Sequence, residues 1–262
     1  MSDPVHPWFR RGFAGERVEL RLFCFPYAGG TAAQIYRGWN EYLPPTIEVL
    51  SAELPGRGLR LQEPAFVRLA DLVKALTIAL IPLLDRPFAF FGHSMGATIA
   101  FELARSVRRC LGLEPELLCV SGRRAPQVLV NRPSIYDLPK DEFIAELKRM
   151  DGTPSEVLEH AELMELVFPL LRADFQLIET YKYDVGPPLA CPITVYGGLA
   201  DDEETREVLS MWRSQTTSDF ALHMLPGDHF FLRSCRTRLL GLLSRQLEDA
   251  LARAPMSRRH DG

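Results

Sequence analysis

The stretch FAFFGHSMGATIAFELAR, Phe88–Arg105, decides the fold. Its first four residues are a short apolar run rich in aromatics, the composition of a buried strand. From Gly96 to Arg108 the chain is Ala-rich and ends in arginines, which suit the C-terminus of a helix. Between strand and helix lies Gly92-His93-Ser94-Met95-Gly96, a G-x-S-x-G pentad. Taken alone that pattern is a Gly-rich turn. Set between a strand and a helix it reads as a nucleophile elbow. Such a turn is so sharp that side chains near the serine collide, so glycine stands two residues to either side. The helix start then aims backbone N–H groups at negative charge developing on a bound carbonyl.

Outward from the elbow, short apolar runs alternate with helical patterns. Val18–Phe25 and Glu48–Leu54 precede it; Leu117–Ser121, Ile193–Tyr196 and Phe220–Leu225 follow. Leu69–Leu84 and Leu239–Ala252 carry apolar residues at helical spacing. The alternation predicts an α/β protein with a mostly parallel sheet flanked by helices, one domain over residues 1–262. One interval departs from it. Between Ser121 and Ile193 no strand is legible, and Asp141–Met150, Pro154–Glu162 and Leu163–Tyr181 read as helices. An insertion of this kind, about residues 125–185, is expected to form a helical lid over the carboxyl edge of the sheet. Phe143, Leu147, Leu163, Phe168 and Phe175 are candidates to line a chamber beneath it, with packing inside the lid as the alternative.

Composition narrows the function classes. With 47% apolar and 24% charged residues in a chain of 262, a sizeable core can form. A net charge of −4 argues against nucleic acid as a partner, which usually needs a basic face. Cys24, Cys110, Cys119, Cys191 and Cys235 are odd in number and widely spaced, the usage of free thiols in a reducing cytosol. Met1–Gly15 has no apolar secretory core, and Ala75–Leu84 is too short to span a bilayer. A cytoplasmic monomer with no membrane partner is expected.

A nucleophilic serine needs a base, and the sequence offers 6 histidines. His6 and His260 lie near the ends, His160 in the insertion, and His223 within the last strand. His93 is inside the elbow, where its side chain should point away from Ser94. His229, in PGDHFF just after the last strand, fits the chain order of this fold: nucleophile, acid, histidine. The orienting acid should stand at the end of the preceding strand, in Gly197–Glu204, where Asp201 and Asp202 compete and Asp201 is favoured. One oxyanion donor is expected from the Met95 N–H. The other is expected from the loop Phe25–Gly30, at Ala28 or Tyr27. This chemistry requires no metal and no organic cofactor.

Several motifs together resemble the type II, or editing, thioesterases of polyketide and nonribosomal peptide biosynthesis, which belong to the α/β-hydrolase superfamily. They are CFPYAGG (Cys24–Gly30), LPGRGLRLQEP (Leu54–Pro64), the elbow stretch, GTPSEVL (Gly152–Leu158), FPLLRADF (Phe168–Phe175), GGLADD (Gly197–Asp202) and PGDHFFL (Pro226–Leu232). The resemblance implies a triad of Ser94, Asp201 and His229, and so favours Asp201 over Asp202. It implies a mobile lid, and as substrates acyl or aminoacyl thioesters on the phosphopantetheine arm of an acyl or peptidyl carrier protein. Asp228 departs from the pattern, standing where glycine is common and placing a carboxylate beside the expected base. Arg123, Arg124 and Arg132 are candidates for a basic patch facing an acidic carrier, against the alternative that they are ordinary solvated arginines. Two other readings compete: a general esterase or lipase of the same fold, and a catalytically silent binding protein. Nothing in the sequence alone explains what the residues of Leu54–Pro64 do.

Overall fold

The computed structural model describes residues 6–12, 15, 17–129, 133–150 and 160–253. Strands β1 (Phe9–Arg11), β2 (Leu20–Phe25), β3 (Ile47–Ala52), β4 (Phe88–His93), β5 (Leu117–Ser121), β6 (Ile193–Gly198) and β7 (Phe220–Leu225) form one sheet. Its order is β1-β3-β2-β4-β5-β6-β7. All pairs are parallel except β1 on β3, where Phe9 faces Ala52. The six strands expected from sequence are present, and β1 is an addition to them. A three-residue antiparallel edge strand carries too little alternation to be read, and neighbours far along the chain make it a strand.

The helices are α1 (Ala32–Tyr36), α2 (Leu69–Leu80), α3 (Met95–Leu111), α4 (Lys140–Met150), α5 (Ala161–Glu179), α6 (Arg206–Ser210), α7 (Phe231–Ser234) and α8 (Arg236–Arg253). They cover both sides of the sheet, because successive strand residues face opposite ways. On one face Phe23, Phe90 and Val120 pack with Leu76 of α2 and Ile99 and Leu103 of α3. On the other, Leu22, Phe91 and Tyr196 pack with Leu239, Leu243 and Leu247 of α8. Strands buried on both faces read as near-continuous apolar runs, which is why the central ones were legible. The doubly covered sheet is the α/β-hydrolase arrangement that the elbow foretold.

Between β5 and β6 the insertion contributes α4 and α5, which form a small core of their own around Phe143, Leu147 and Leu171. The helix expected over Pro154–Glu162 falls largely outside the described residues. α5 runs unbroken through Pro169, with the Thr180 N–H capping it on the Gln176 carbonyl. No helix among the described residues is long and apolar enough to cross a membrane.

Candidate active site

The elbow is built as its glycines require. A Cβ on Gly92 would lie 2.0 Å from the Gly96 carbonyl oxygen, and one on Gly96 2.0 Å from that of Phe25. Ser94 has φ 53°, the sole positive φ on a non-glycine among the described residues. A residue held there carries on the order of 1–3 kcal/mol of backbone strain, maintained by the structure around it. The surroundings are explicit: the Ser94 N–H donates to the Ser121 carbonyl at 2.8 Å, and α3 begins at Met95. The Met95 N–H thus stands in the first turn of a long helix, where no intrahelical acceptor exists.

His229 and Asp201 meet across the ends of β6 and β7. Nδ1 of His229 and Oδ2 of Asp201 are 2.7 Å apart. Oδ1 of Asp201 accepts the N–H groups of Glu203 at 3.2 Å and Glu204 at 3.1 Å. Burial pushes the Asp201 carboxyl up. The His229 hydrogen bond and charge, with the two N–H donors, outweigh burial and hold it below the usual carboxylate range. Asp202 is exposed and makes no such bond among the described residues. Of the two competing aspartates, Asp201 is therefore the one hydrogen-bonded to the His229 imidazole. Asp228 turns its carboxylate onto the Phe230 N–H at 2.7 Å, closing a short turn around His229.

A cavity of about 390 Å³ gathers these groups. Ser94, Asp201, His229, Tyr27 and Ala28 form its floor and sides, and residues of α4 and α5 complete it. Of the five residues read as chamber lining, Leu147 and Phe175 line it. Phe143 and Phe168 do not: the Phe143 ring sits 5.6 Å from those of Phe168 and Phe175, inside the helix pair. Leu163 is 42% exposed and lines nothing here. Met150, Leu171 and Ile178 were missed. Periodicity marks an apolar stripe, but not which part of it meets the sheet and which meets the neighbouring helix.

In the loop after β2, the Gly29 N–H is engaged by Asp174 at 2.7 Å, and the Gly30 N–H by the Tyr27 carbonyl at 3.0 Å. The Ala28 N–H bonds no protein group among the described residues. His93 is buried beneath the site, its Nδ1 2.8 Å from Ser121 Oγ and its ring 5.1 Å from that of His229. Burial above all, then the charges of His229 and Arg233, lower its pKa well below the ordinary imidazole value. Among the arginines expected to form a patch, Arg124 is tied to Glu204 at 3.0 Å and Arg123 lines the cavity. Arg132 lies outside the described residues. Among the described residues no His, Cys, Asp and Glu group could hold a metal ion.

A serine at the carboxyl end of the central strand, on a strained strand-to-helix turn, with a carboxylate-bound imidazole in the same cavity, is the arrangement of the α/β-hydrolases. Residues 20–247 match the family model of the thioesterase domain, so the chain belongs to the thioesterase family and is a hydrolase. It is 43% identical over 248 residues to the gramicidin S biosynthesis protein GrsT of Aneurinibacillus migulanus, covering 95% of this chain and 96% of that one. Its fold matches RedJ, a thioesterase from the prodiginine biosynthetic pathway in Streptomyces coelicolor. There the TM-score is 0.82 at 39% identity, over 87% of this chain and 91% of RedJ. The type II thioesterase BorB from the borrelidin biosynthetic cluster matches with TM-score 0.83 at 35% identity, over 92% and 97% of the two chains.

Proposed function

We propose that this thioesterase hydrolyses stalled or aberrant acyl and aminoacyl thioesters from phosphopantetheinyl carrier proteins of a polyketide or nonribosomal peptide synthase. The observation that carries the reading is the Asp201–His229 pair in one cavity with Ser94, on a chain similar to GrsT over nearly its whole length. RedJ and BorB, both from biosynthetic pathways, support the same class of substrate.

Chemically, His229 takes the proton of Ser94 Oγ as that oxygen attacks the thioester carbonyl. Asp201 holds the imidazole by Nδ1, leaving Nε2 for the serine, and stabilises the imidazolium that forms. The N–H groups of Met95 and Ala28 receive the oxyanion. Both Ala28 and Tyr27 line the cavity, and neither N–H bonds a protein group among the described residues; Ala28 is taken as the donor and Tyr27 is the alternative. Collapse expels the pantetheine thiolate, a good leaving group that needs little acid assistance. Water activated by His229 then hydrolyses the acyl-enzyme. The steps involve neither a metal nor an organic cofactor. We read the insertion helices as a lid that shelters this chemistry, and the enzyme as a cytoplasmic monomer whose partner is a carrier protein, with no nucleic acid or membrane involved.

Intact-mass analysis of an acylated holo carrier protein, incubated with wild type and with Ser94→Ala, tests the proposal. Loss of the acyl mass with wild type alone supports it. A wild type that leaves the carrier acylated while rapidly cleaving simple esters is a general esterase, and the carrier assignment falls.

A further inference from the structure

Leu54–Pro64 takes no part in the chemistry above, yet Arg57 reaches from it to the edge of the site. Arg57 and Asp174 of α5 are 3% and 1% exposed. They meet in a two-pronged pair: Nη1 donates to Asp174 Oδ2 at 2.8 Å, and Nη2 donates to Oδ1 at 2.7 Å. Such a fork fixes orientation as well as charge. Neither group stops at the other. Asp174 Oδ2 also accepts the Gly29 N–H, and Arg57 Nη1 also donates to the Gly30 carbonyl at 3.3 Å. Two segments far apart in the chain therefore grip the turn after β2 from one side.

Sterics say the same. Gly29 has φ +73°, and a Cβ there would lie 2.5 Å from Leu171 Cδ2, one helical turn before Asp174. The turn itself closes through the Gly30 N–H and the Tyr27 carbonyl, with positive φ at its third residue, the pattern that demands glycine. Its other end is held too, because Arg233 donates to the Tyr27 hydroxyl, from Nε at 3.2 Å and also from Nη2. Ala28 lies between two fixed ends. An apolar pair could fill the space of Arg57 and Asp174, and buried ion pairs are seldom the most stable filling. Apolar side chains cannot accept the Gly29 N–H or hold the Gly30 carbonyl.

We propose that Arg57 and Asp174 are positioning residues, a buried clamp that fixes the Tyr27–Gly30 turn so that the Ala28 N–H is presented to the oxyanion, and that ties this donor to helix α5 over the cavity. The inference rests on the reading of Ala28 as an oxyanion donor. It joins the insertion to the catalytic floor mechanically, so that a shift of α5 moves a catalytic N–H.

The test is the double variant Arg57→Met/Asp174→Leu, with Arg57→Lys beside it. Each is assayed on a p-nitrophenyl ester and the matching acyl-pantetheine thioester, with Tm recorded. Inhibition by a trifluoromethyl ketone, whose adduct with serine carries an oxyanion, completes the set. Apolar replacement should leave Tm near wild type. It should lower kcat about a hundredfold on both substrates, the effect of losing one oxyanion donor, with KM nearly unchanged. Ketone affinity should fall in parallel. Arg57→Lys keeps the charge without the fork and should lose about tenfold or more in kcat at nearly full Tm. If the double variant does not fold, the Arg57→Lys measurement decides. A folded double variant or Arg57→Lys with wild-type kcat and ketone affinity overturns the clamp while the hydrolase reading stands. A wild type inert to both substrates overturns the two together.

Discussion

Two turns converge on the space above Ser94, and they are built in opposite ways. The elbow between β4 and α3 closes on its own glycines, Gly92 against Gly96, and then packs Gly96 on the end of β2. The turn after β2 is closed from a distance: Asp174, bonded to the Gly29 N–H, is 145 residues further along the chain. One turn carries the proposed nucleophile and the other the proposed oxyanion donor. The contrast teaches that the same site holds a part encoded locally and a part that exists only once the chain is folded.

The largest effects should fall on the locally encoded turn. Ser94→Ala removes the proposed attacking oxygen and should lower kcat by about a millionfold, the scale seen when a triad nucleophile is lost. Turnover of any thioester within a hundredfold of wild type would place the nucleophile elsewhere. Asp201→Asn comes next. It keeps the shape but favours the wrong imidazole tautomer, and should cost about 10⁴-fold in kcat. Asp202→Asn, at an exposed position, should change kcat less than twofold on the surface-substitution scale. Equal losses in the two variants would erase the distinction between them.

Gly96→Ala probes the elbow's fit rather than its chemistry. The added methyl meets backbone, which cannot rotate aside, so at least about 1–3 kcal/mol of stability should be lost. In a chain of this size that lowers Tm by roughly 2–4 °C per kcal/mol. A variant as stable as wild type would show that the turn is looser than its contacts imply.

These differences explain what the sequence could reveal. Ser94, Asp201 and His229 stand at strand ends, each marked by glycine or proline, so fold and catalytic candidates were readable together. Asp201 was favoured over Asp202, but both stand in one acidic run, and it is the fold that brings the Asp201 carboxylate to His229. The roles of Arg57 and Asp174 were hidden. Arg57 and Asp174 each fall in a motif that carries the resemblance, but nothing in either motif's spacing pairs one with the other. Only the docking of α5 on the β2 turn makes them partners. The short strand β1 and the division of insertion residues between chamber and helix core were hidden for the same reason.

The smallest predicted effect lies under the site, where His93 is part of the elbow but senses both turns through His229 and Tyr27. Its pKa is depressed, first by burial and then by the charges of His229 and Arg233. The sign follows from linkage. Below the ordinary imidazole value of 6.5 the unfolded chain takes up a proton that folded His93 refuses, so this contribution to stability is present above that pH and is lost as pH falls. One such group gives a slope of at most about 1.4 kcal/mol per pH unit. His93→Asn keeps a hydrogen-bonding side chain for Ser121 and cannot titrate. Between pH 6 and 5 its Tm should therefore fall more slowly than that of wild type, by roughly 3–5 °C per pH unit at most. His6 and His223 are also lowered by burial and act in the same window, but His93 is the fully buried one and should carry the largest share. Asp201, depressed from the carboxylate range, acts only at lower pH. Parallel Tm curves for wild type and variant across that interval would mean that His93 is charged in the folded protein, and the picture of a neutral imidazole floor beneath His229 would have to be abandoned.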